Sequence, residues 1–351
     1  MTLEPRSIID GAYLHDLLAQ PDTLRAVREG LADFTLDAAL LADWRAERFR
    51  RVMLTGMGTS LHALYPLHRC LSARGVPSHW IETAELLHGF DALRRSDTLL
   101  VAVSQSGESA EIVNLLQHAT EFGHVIGVTN NEHSTLSRVA GTTLRLHAGV
   151  ESTVSCKTYV ATLAALHVLG TALGEADAMS ALCELEHAER AVRAYLARWR
   201  EHVAQLLPLL DGITSVFVTG RGDSLATAGT GGLILKESTR QPAEGMSAAA
   251  FRHGPLEMAG EQVFVLVFEG GQDVAALNRR LVADITRGGG RAALLTANDA
   301  PAGVFRLPVV PAAVQPIVEI LPVQMLSLAL AARDGFEAGR FERASKITAI
   351  A

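Results

Sequence analysis

The feature of this sequence that most constrains its fold is a pattern that occurs twice. Each copy has a short apolar run, a G-x-G turn, a small polar pair and the start of a helical pattern: VMLTGMGTSLHAL at 52–64 and VFVTGRGDSLATA at 216–228. The two copies align without gaps and are 164 positions apart, counted from Gly56 to Gly220. Such a repeat suggests duplication. The alternative is that any two parallel α/β domains have glycine-rich first turns by topology alone.

Short apolar runs alternate with helical stretches after each copy. The predicted strands are RVMLT, SHWIET, TLLVAVS, HVIGVT and TLRLHA in the first half, and SVFVTG, VFVLVF, AALLTA and VFRLPV in the second. Helices between strands favour parallel sheets that are covered on both faces. The sequence therefore predicts an α/β protein with two tandem, doubly wound parallel-sheet domains. The predicted segments are a helical lead-in at 1–48, a first domain at 49–178, a helical connector at 179–206, a second domain at 207–335 and a C-terminal tail at 336–351.

The bulk composition excludes several classes of function. A net charge of −7 and only 5% aromatic residues argue against a nucleic-acid groove. Three widely spaced cysteines without a C-x-x-C pair favour neither a disulfide framework nor a zinc site. No export signal or membrane-spanning segment is expected, since the most apolar helical stretch, IVEILPVQMLSLALAA, contains Glu319 and Pro322. We therefore expect a cytoplasmic protein that acts on a small molecule, with no nucleic-acid, membrane or metal partner.

Neither glycine turn fits a nucleotide site. Leu61 and Leu225 stand where a G-x-G-x-x-G fingerprint requires its third glycine, and no G-x-x-x-x-G-K-[ST] motif occurs. No cofactor is therefore expected. We interpret the second turn, GRGDS, as mainly structural, because Asp223 would repel a phosphate.

The segment Ser104-Gln105-Ser106-Gly107-Glu108-Ser109 predicts a phosphate site. It joins the end of a predicted strand to a helical pattern, so its hydroxyl and amide side chains lie beside the free N–H groups of a helix start. Helix capping by Ser104 or Ser106 is the alternative. Capping would account for one hydroxyl, but not for three serines and a glutamine in six residues.

These motifs resemble the tandem sugar isomerase (SIS) domain family, and within it the isomerase half of the glutamine-dependent fructose-6-phosphate amidotransferases (glucosamine-6-phosphate synthases). The resemblance rests on GMGTS, SQSGES, ESTVSCKTYVATL and GRGDSLATAGTGGLILKESTRQPAEGMSAAAFRHGPLEM, and it covers nearly all of residues 50–351. The N-terminal glutaminase domain of the synthases, with its leading cysteine nucleophile, is not found in this sequence. Release of ammonia from glutamine is therefore not expected.

The resemblance implies a set of site residues. Glu237 would move the proton between C1 and C2 of the sugar, His253 would open the sugar ring from across the interface of a homodimer, and Lys346 would form an imine with the open-chain keto sugar. Ile234 stands where the synthases have a second lysine. The residues implied to bind the phosphate and the sugar oxygens are Gly58, Thr59, Ser60, Ser104, Gln105, Ser106, Ser109 and Ser155.

The function implied is a phosphosugar isomerase acting on a hexose or hexosamine 6-phosphate. Aldose–ketose isomerisation, alone or coupled to loss of the C2 amine as in a glucosamine-6-phosphate deaminase, fits the same residues. Two alternatives remain open: a deglycase that cleaves a sugar phosphate from an amino-acid amine, and a non-catalytic sugar-phosphate sensor. A pure sensor has no need for both Glu237 and His253.

Overall fold

A computed structural model describes residues 10–298, 302–343 and 346 of the chain. These residues form two compact units. The first unit contains Asp22–Glu151, Lys157–Glu186 and Lys346. The second contains residues 10–21, Ser152–Cys156 and the described part of His187–Ala344.

The first unit is built on a five-stranded parallel sheet. The strand order is β2-β1-β3-β4-β5, so the chain starts near the middle and winds outward in both directions. The strands are β1 (Arg51–Gly56), β2 (Ser78–Glu82), β3 (Thr98–Val103), β4 (His124–Thr129) and β5 (Thr142–Arg145). The helices that lie wholly or partly in this unit are α2 (Gln20–Gly30), α3 (Ala38–Arg45), α4 (Gly58–Ala63), α5 (Tyr65–Ala73), α6 (Thr83–Gly89), α7 (Ala110–Leu116), α8 (Thr135–Val139), α9 (Lys157–Leu173) and α10 (Ala178–Leu196).

The core of the first unit explains why the central strand lacks polar alternation. All six residues of β3 are buried, because helices cover both faces of the sheet. On one face, Met53, Leu100 and Ala102 pack with Leu115 and Leu136 from two helices. Helix α9 is buried on nearly all sides, which explains its almost uninterrupted apolar sequence.

The second unit repeats this arrangement with four strands. Its parallel sheet has the order β7-β6-β8-β9, which matches β2-β1-β3-β4 of the first unit. The strands are β6 (Ser215–Gly220), β7 (Ala243–Ser247), β8 (Val263–Phe268) and β9 (Arg291–Leu295). The other helices are α1 (Ala12–Leu18), α11 (Trp199–Leu206), α12 (Ser224–Thr239), α13 (Ala248–Arg252), α14 (Gln272–Arg287) and α15 (Gln315–Asp334), and short 3₁₀ turns lie at Asp91–Leu93, Ala119–Glu121, Leu207–Leu209, Pro255–Met258 and Ala312–Val314.

Helix α15 forms the centre of the second unit. It is long and apolar enough to cross a membrane by length and composition, but most of it is buried inside the fold. Its Gln324 exchanges side-chain hydrogen bonds with the buried Gln20, at 2.9 and 3.1 Å. The N-terminal residues of the described chain thus pack against this helix.

The predicted fold class is confirmed, and the structure differs from the sequence pattern at three places. Residues 58–73 carry one continuous helical pattern in the sequence but form two helices, because Pro66 in the first turn of α5 lacks an N–H to continue the helical hydrogen bonds. Residues 304–309 form only an isolated bridge, between Arg306 and Thr296, where a full strand was expected. Pro308, which has no donor, ends that pairing. Strand β7 was not predicted, since AEGMS carries no apolar run.

Candidate active site

The first glycine turn joins β1 to α4 at the carboxyl edge of the first sheet. Gly56 pairs with Val103 of the neighbouring strand β3, and a Cβ on Gly56 would lie only 3.0 Å from the Val103 carbonyl oxygen. Thr59 and Ser60 lie in the first turn of α4 and are half-buried. The sheet order reverses between β1 and β3, and the crevice at such a reversal is where ligands bind in open α/β sheets.

The Ser104–Ser109 loop leaves β3 at the other side of this crevice. The Gly107 N–H donates to both the carbonyl and the hydroxyl of Ser104, each at 3.1 Å, which makes the turn tight. Gly107 has φ of +65°, and a Cβ there would lie 2.2 Å from Ser134 Oγ, so only glycine fits. The Ser106 hydroxyl accepts the Glu108 N–H at 3.1 Å, whereas the Ser109 side chain makes no capping bond to α7.

Neither Ser104 nor Ser106 caps α7, because the N–H groups that they accept from, those of Gly107 and Glu108, lie in the loop before the first residue of that helix. The hydroxyls of Ser104 and Ser106 brace the loop as acceptors, and each retains its own proton to donate. Glu108, which we did not predict as a site residue, accepts from the N–H of Thr135 at 2.6 Å and so ties the loop to the start of α8. These hydrogen bonds hold the loop in one conformation at the carboxyl end of β3.

Asn130 connects this loop to the segment that follows β5. Its N–H donates to the Gln105 carbonyl at 3.0 Å. Its side chain accepts from the Ala148 N–H at 2.8 Å and donates to the Gly149 carbonyl at 2.7 Å. One asparagine thus fixes residues 148–149 beside the Ser104–Ser109 loop.

Lys346 lies in the first unit, against the same segment. Its Nζ donates to Glu151 Oε2 at 2.7 Å, and the Glu151 side chain is fully buried. Thr158 donates to the same carboxylate from its N–H at 3.1 Å and its hydroxyl at 2.5 Å. Lys157 Nζ donates to the Val150 carbonyl at 2.7 Å. Glu151 was missed from the sequence, although it directly precedes the STVSCK motif.

Glu237 lies in the last turn of α12, in the second unit, and is half-buried. The neighbouring Lys236 pairs with Glu244 of β7 at 3.5 Å. This agrees with the helix geometry, in which adjacent side chains point in different directions. Ile234 is fully buried in the same helix.

His253 and Ser155 also lie in the second unit. His253 is exposed at the C-terminal end of α13, where its N–H donates to the Ala250 carbonyl at 2.9 Å. Ser155 is half-buried. The predicted site residues thus divide between the two units: the second holds Glu237, His253 and Ser155, and the first holds Gly58, Thr59, Ser60, Ser104, Gln105, Ser106, Ser109 and Lys346.

The second glycine turn has an acidic environment. The hydroxyl of Ser224 donates at 2.7 Å to Glu319, a carboxyl group that is 1% exposed. Burial raises the pKa of Glu319 to about 8; the hydrogen bond from Ser224 opposes this rise, and the negative charge of Asp223 adds to it. Glu319 is therefore uncharged near neutral pH, and Asp223 is the acidic group that disfavours an anionic ligand at this turn, in agreement with the structural interpretation of GRGDS.

Glu269 takes the position in the second unit that Ser104 has in the first. The Ser104 N–H donates to the carbonyl of Val128, near the end of β4. The Glu269 N–H donates in the same way to the carbonyl of Leu295, at the end of β9. The buried Glu269 carboxylate accepts from Arg279, from Thr296 and, at 2.7 Å, from Asn298. Burial alone would raise the pKa of Glu269, but these hydrogen bonds outweigh it and lower that pKa. A fixed negative charge therefore fills this loop.

The donors of the Ser104–Ser109 loop are hydroxyls and amides, and the Lys346 ammonium lies against the segment that Asn130 joins to it; such donors suit an oxyanion. Within residues 10–298, 302–343 and 346, no three His, Cys, Asp or Glu side chains are grouped to hold a metal ion.

Comparison with known proteins gives a family match in both halves. The SIS domain profile matches residues 47–172 and 210–333. The chain is 28% identical over 358 residues to the isomerizing glutamine–fructose-6-phosphate aminotransferase of Pyrococcus horikoshii, covering 97% of this chain and 58% of that protein. Identity to the enzyme of the same name from Corynebacterium diphtheriae is 30% over 343 residues, covering 90% and 54%. The chain spans somewhat more than half the length of these relatives.

Solved structures share the fold. The C-terminal domain of glucosamine-fructose-6-phosphate aminotransferase from Francisella tularensis has a TM-score of 0.84 at 20% identity, covering 94% of this chain and 98% of that one. Tagatose-6-phosphate ketose/aldose isomerase from Escherichia coli has a TM-score of 0.77 at 17% identity, covering 98% of each chain. Glucosamine-6-phosphate deaminase from Thermotoga maritima has a TM-score of 0.76 at 15% identity, covering 97% and 100%.

Proposed function

The chain belongs to the SIS domain family, and on that premise we propose that it is a phosphosugar isomerase. The proposed substrate is a hexose or hexosamine 6-phosphate, which the protein interconverts between aldose and ketose forms. The relatives support this substrate class: they are an aminotransferase of fructose 6-phosphate, an isomerase of tagatose 6-phosphate and a deaminase of glucosamine 6-phosphate.

The observation that carries the proposal is the preorganised Ser104–Ser109 loop. Its turn is held by Gly107 and Glu108 through hydrogen bonds within the protein, and the hydroxyls of Ser104, Ser106 and Ser109 retain protons to donate. A phosphate dianion gains most from donors that need no reordering. The phosphate of the sugar is therefore proposed to bind in this loop.

The proposed chemistry uses three side chains. The imidazole of His253 takes and returns a hydroxyl proton as the ring opens. The carboxylate of Glu237 moves a proton between C1 and C2. The amine of Lys346 forms an imine with the ketose.

Loss of the C2 amine is a second outcome for the same residues. Moving a proton from C2 to C1 of an open-chain 2-amino aldose gives a ketose imine at C2, and water then hydrolyses that imine to the ketose and ammonia. The buried Ile234 favours an isomerase or a deaminase over the complete synthase reaction, since the second lysine of the synthase pattern is replaced by an apolar side chain.

The test is to incubate purified protein with a panel of hexose and hexosamine 6-phosphates. Sugar interconversion is followed by NMR in deuterated water, and ammonia release is measured in the same samples. Interconversion with deuterium incorporation at C1 or C2 supports the proposal. Release of ammonia together with interconversion identifies a deaminase. Tight binding without turnover for every sugar in the panel would instead support the sensor.

Glu237→Gln separates binding from catalysis within that assay. The amide keeps the shape of the side chain but cannot accept a carbon-bound proton, so we expect turnover to fall roughly a hundredfold or more at unchanged affinity. Glu244→Gln, at the neighbouring exposed carboxylate, is the matched control. Deuterium exchange at the wild-type rate in Glu237→Gln would remove Glu237 as the base.

A further inference from the structure

We infer that Glu151 is the positioning residue for Lys346: its carboxylate holds the Lys346 ammonium beside the Ser104–Ser109 loop and exchanges a proton with it as the imine forms. The inference rests on the proposed role of Lys346 in the reaction. The contact itself, however, can be measured without any sugar.

The first step of the argument is the burial of Glu151. A buried carboxylate is costly unless charged or hydrogen-bonding partners surround it. The Glu151 side chain has no exposed surface, and it accepts two hydrogen bonds from Thr158 and one from the Lys346 ammonium. The two bonds from Thr158, at the start of α9, fix the orientation of the carboxylate. Lys346, which is only 22% exposed, is therefore held by a rigid group.

The second step places this pair at the proposed phosphate loop. Asn130 bonds the Gln105 carbonyl on one side and residues Ala148 and Gly149 on the other. Lys157 then bonds the carbonyl of Val150. The segment 148–151 is thus fixed at both ends, and Glu151 belongs to the same edge of the sheet as the loop.

The third step is the unusual use of lysine. The sequence has 31 Lys and Arg residues, of which only Lys157, Lys236 and Lys346 are lysines. Two of these three bind consecutive residues, Val150 and Glu151. An ammonium can give up a proton and act as a nucleophile, whereas a guanidinium cannot. Lysine at position 346 therefore fits a chemical role.

The proton balance of imine formation requires such a partner. The Lys346 ammonium passes one proton to the Glu151 carboxylate, and the free amine adds to the C2 carbonyl of the open-chain ketose to give a carbinolamine. The protonated Glu151 returns that proton to the leaving hydroxyl. The C–O bond breaks, water departs, and the products are an iminium and the Glu151 carboxylate. The net change is ammonium plus ketone to iminium plus water.

The first measurement is acetylation of the three lysines by acetic anhydride, followed by peptide mass spectrometry. An ammonium held by a buried carboxylate reacts slowly, so Glu151→Gln should speed the labelling of Lys346 several-fold. The labelling of Lys236 should not change. In the matched control Glu244→Gln, where the pair is exposed and 3.5 Å apart, Lys346 labelling should equal that of the wild type.

The second measurement is reduction by borohydride in the presence of fructose 6-phosphate, which traps an imine on Lys346 as a stable amine. We expect Glu151→Gln to slow trapping and kcat roughly tenfold or more, with KM nearly unchanged, because geometry and the returning proton are lost. Lys346→Met is the reference for complete loss.

In Glu151→Gln, acetylation of Lys346 should become faster while imine trapping becomes slower. This combination distinguishes loss of positioning from general disorder of the segment. If Glu151→Gln only disordered the segment, labelling would rise at Lys157 as well as at Lys346. Unchanged Lys346 labelling in Glu151→Gln would overturn the inference, whatever the effect on imine trapping and kcat. Faster labelling together with wild-type trapping would also overturn it. Absence of any trapping in the wild type would instead count against the proposed role of Lys346.

Discussion

At the scale of single residues, the two units differ mainly in charge at matching positions. Ser104 presents a hydroxyl where Glu269 presents a buried carboxylate held by Arg279, Thr296 and Asn298. An incoming phosphate would meet donors at Ser104 and a fixed negative charge at Glu269. We propose that this difference confines phosphate binding to the first unit.

The hydroxyls of the first loop are expected to determine phosphate affinity. Ser104→Ala with Ser106→Ala removes two donors and also two braces of the loop, so sugar phosphate binding should weaken roughly tenfold or more. Isothermal calorimetry measures the change. Ser180→Ala, an exposed serine of the same unit, is the control. Equal affinity of the double variant and the wild type would place the phosphate elsewhere.

Glu319 is expected to make stability depend on pH. Burial raises its pKa from 4.5 to about 8, so the folded state prefers the protonated acid. The stabilisation that Glu319 contributes is fully present below the unfolded pKa of 4.5, and it is lost as the pH rises through the folded pKa of about 8. Between pH 4.5 and pH 7 the loss should reach about 3 kcal/mol, since each pKa unit corresponds to about 1.4 kcal/mol.

Glu319→Gln tests this expectation, because the amide keeps the acceptor for Ser224 and cannot ionise. Urea unfolding at pH 5 and pH 8 should show a variant that gains stability over the wild type as pH rises. Glu257→Gln, at an exposed carboxylate, supplies the control. A constant difference between Glu319→Gln and the wild type at both pH values would contradict the prediction.

At the scale of elements, the close approach of helix α12 to strand β7 sets the second unit apart from a generic α/β layer. A Cβ on Gly232 would lie 2.2 Å from the backbone nitrogen of Gly245, and a Cβ on Gly245 would lie 2.0 Å from the Ala228 carbonyl oxygen. Both clashes are with backbone, which cannot turn aside. These two glycines allow the helix that carries Glu237 to lie directly on the edge strand.

Gly232→Ala should therefore destabilise the protein, although glycine to alanine within a helix usually stabilises. Overpacking against backbone costs about 1 to 3 kcal/mol, which exceeds the gain of about 1 kcal/mol in helix propensity. Thermal unfolding measures the sign. Gly260→Ala, where a Cβ would meet nothing within 4 Å, should change the midpoint little. A higher midpoint for Gly232→Ala would show that the helix can move away.

At the scale of the whole molecule, the matching strand orders of the two units support duplication of an ancestral domain. The first unit has the open hydroxyl loop, and the second carries Glu237 and His253. We predict a homodimer in which His253 serves the site of the partner chain. The exposed position of His253 at the end of α13 agrees with such a role.

Mixing of two inactive variants tests the dimer. His253→Ala and Glu237→Gln chains, dissociated and reassociated together, should recover about a quarter of wild-type activity, because half of the dimers are mixed and each has one complete site. Co-purification of one variant with an affinity-tagged copy of the other confirms subunit exchange, and sedimentation analysis gives the oligomeric state. Exchange without recovered activity would assign His253 to the site of its own chain, and a monomer at working concentration would remove the prediction.

The sequence by itself determined the α/β class, the loop at Ser104–Ser109, and eight of the nine strands found in the described residues. These features depend on local properties: hydrophobic periodicity, glycine at turns, and small polar residues at helix starts. The same local patterns led to a wrong strand at 304–309 and missed β7, which forms only because β6 is beside it. The residues of a strand do not by themselves determine which neighbouring strand it pairs with.

Only the tertiary structure decided which charged groups meet. Glu151 and Lys346 are 195 positions apart, and no spacing rule joins them. The donors to Glu269 lie in helix α14 (Arg279) and just after strand β9 (Thr296 and Asn298). Glu319 is protonated near neutral pH because segments distant in the chain exclude water from it. Burial and hydrogen bonding set the charge and orientation of a carboxylate, and both depend on the packing of residues far away in the sequence.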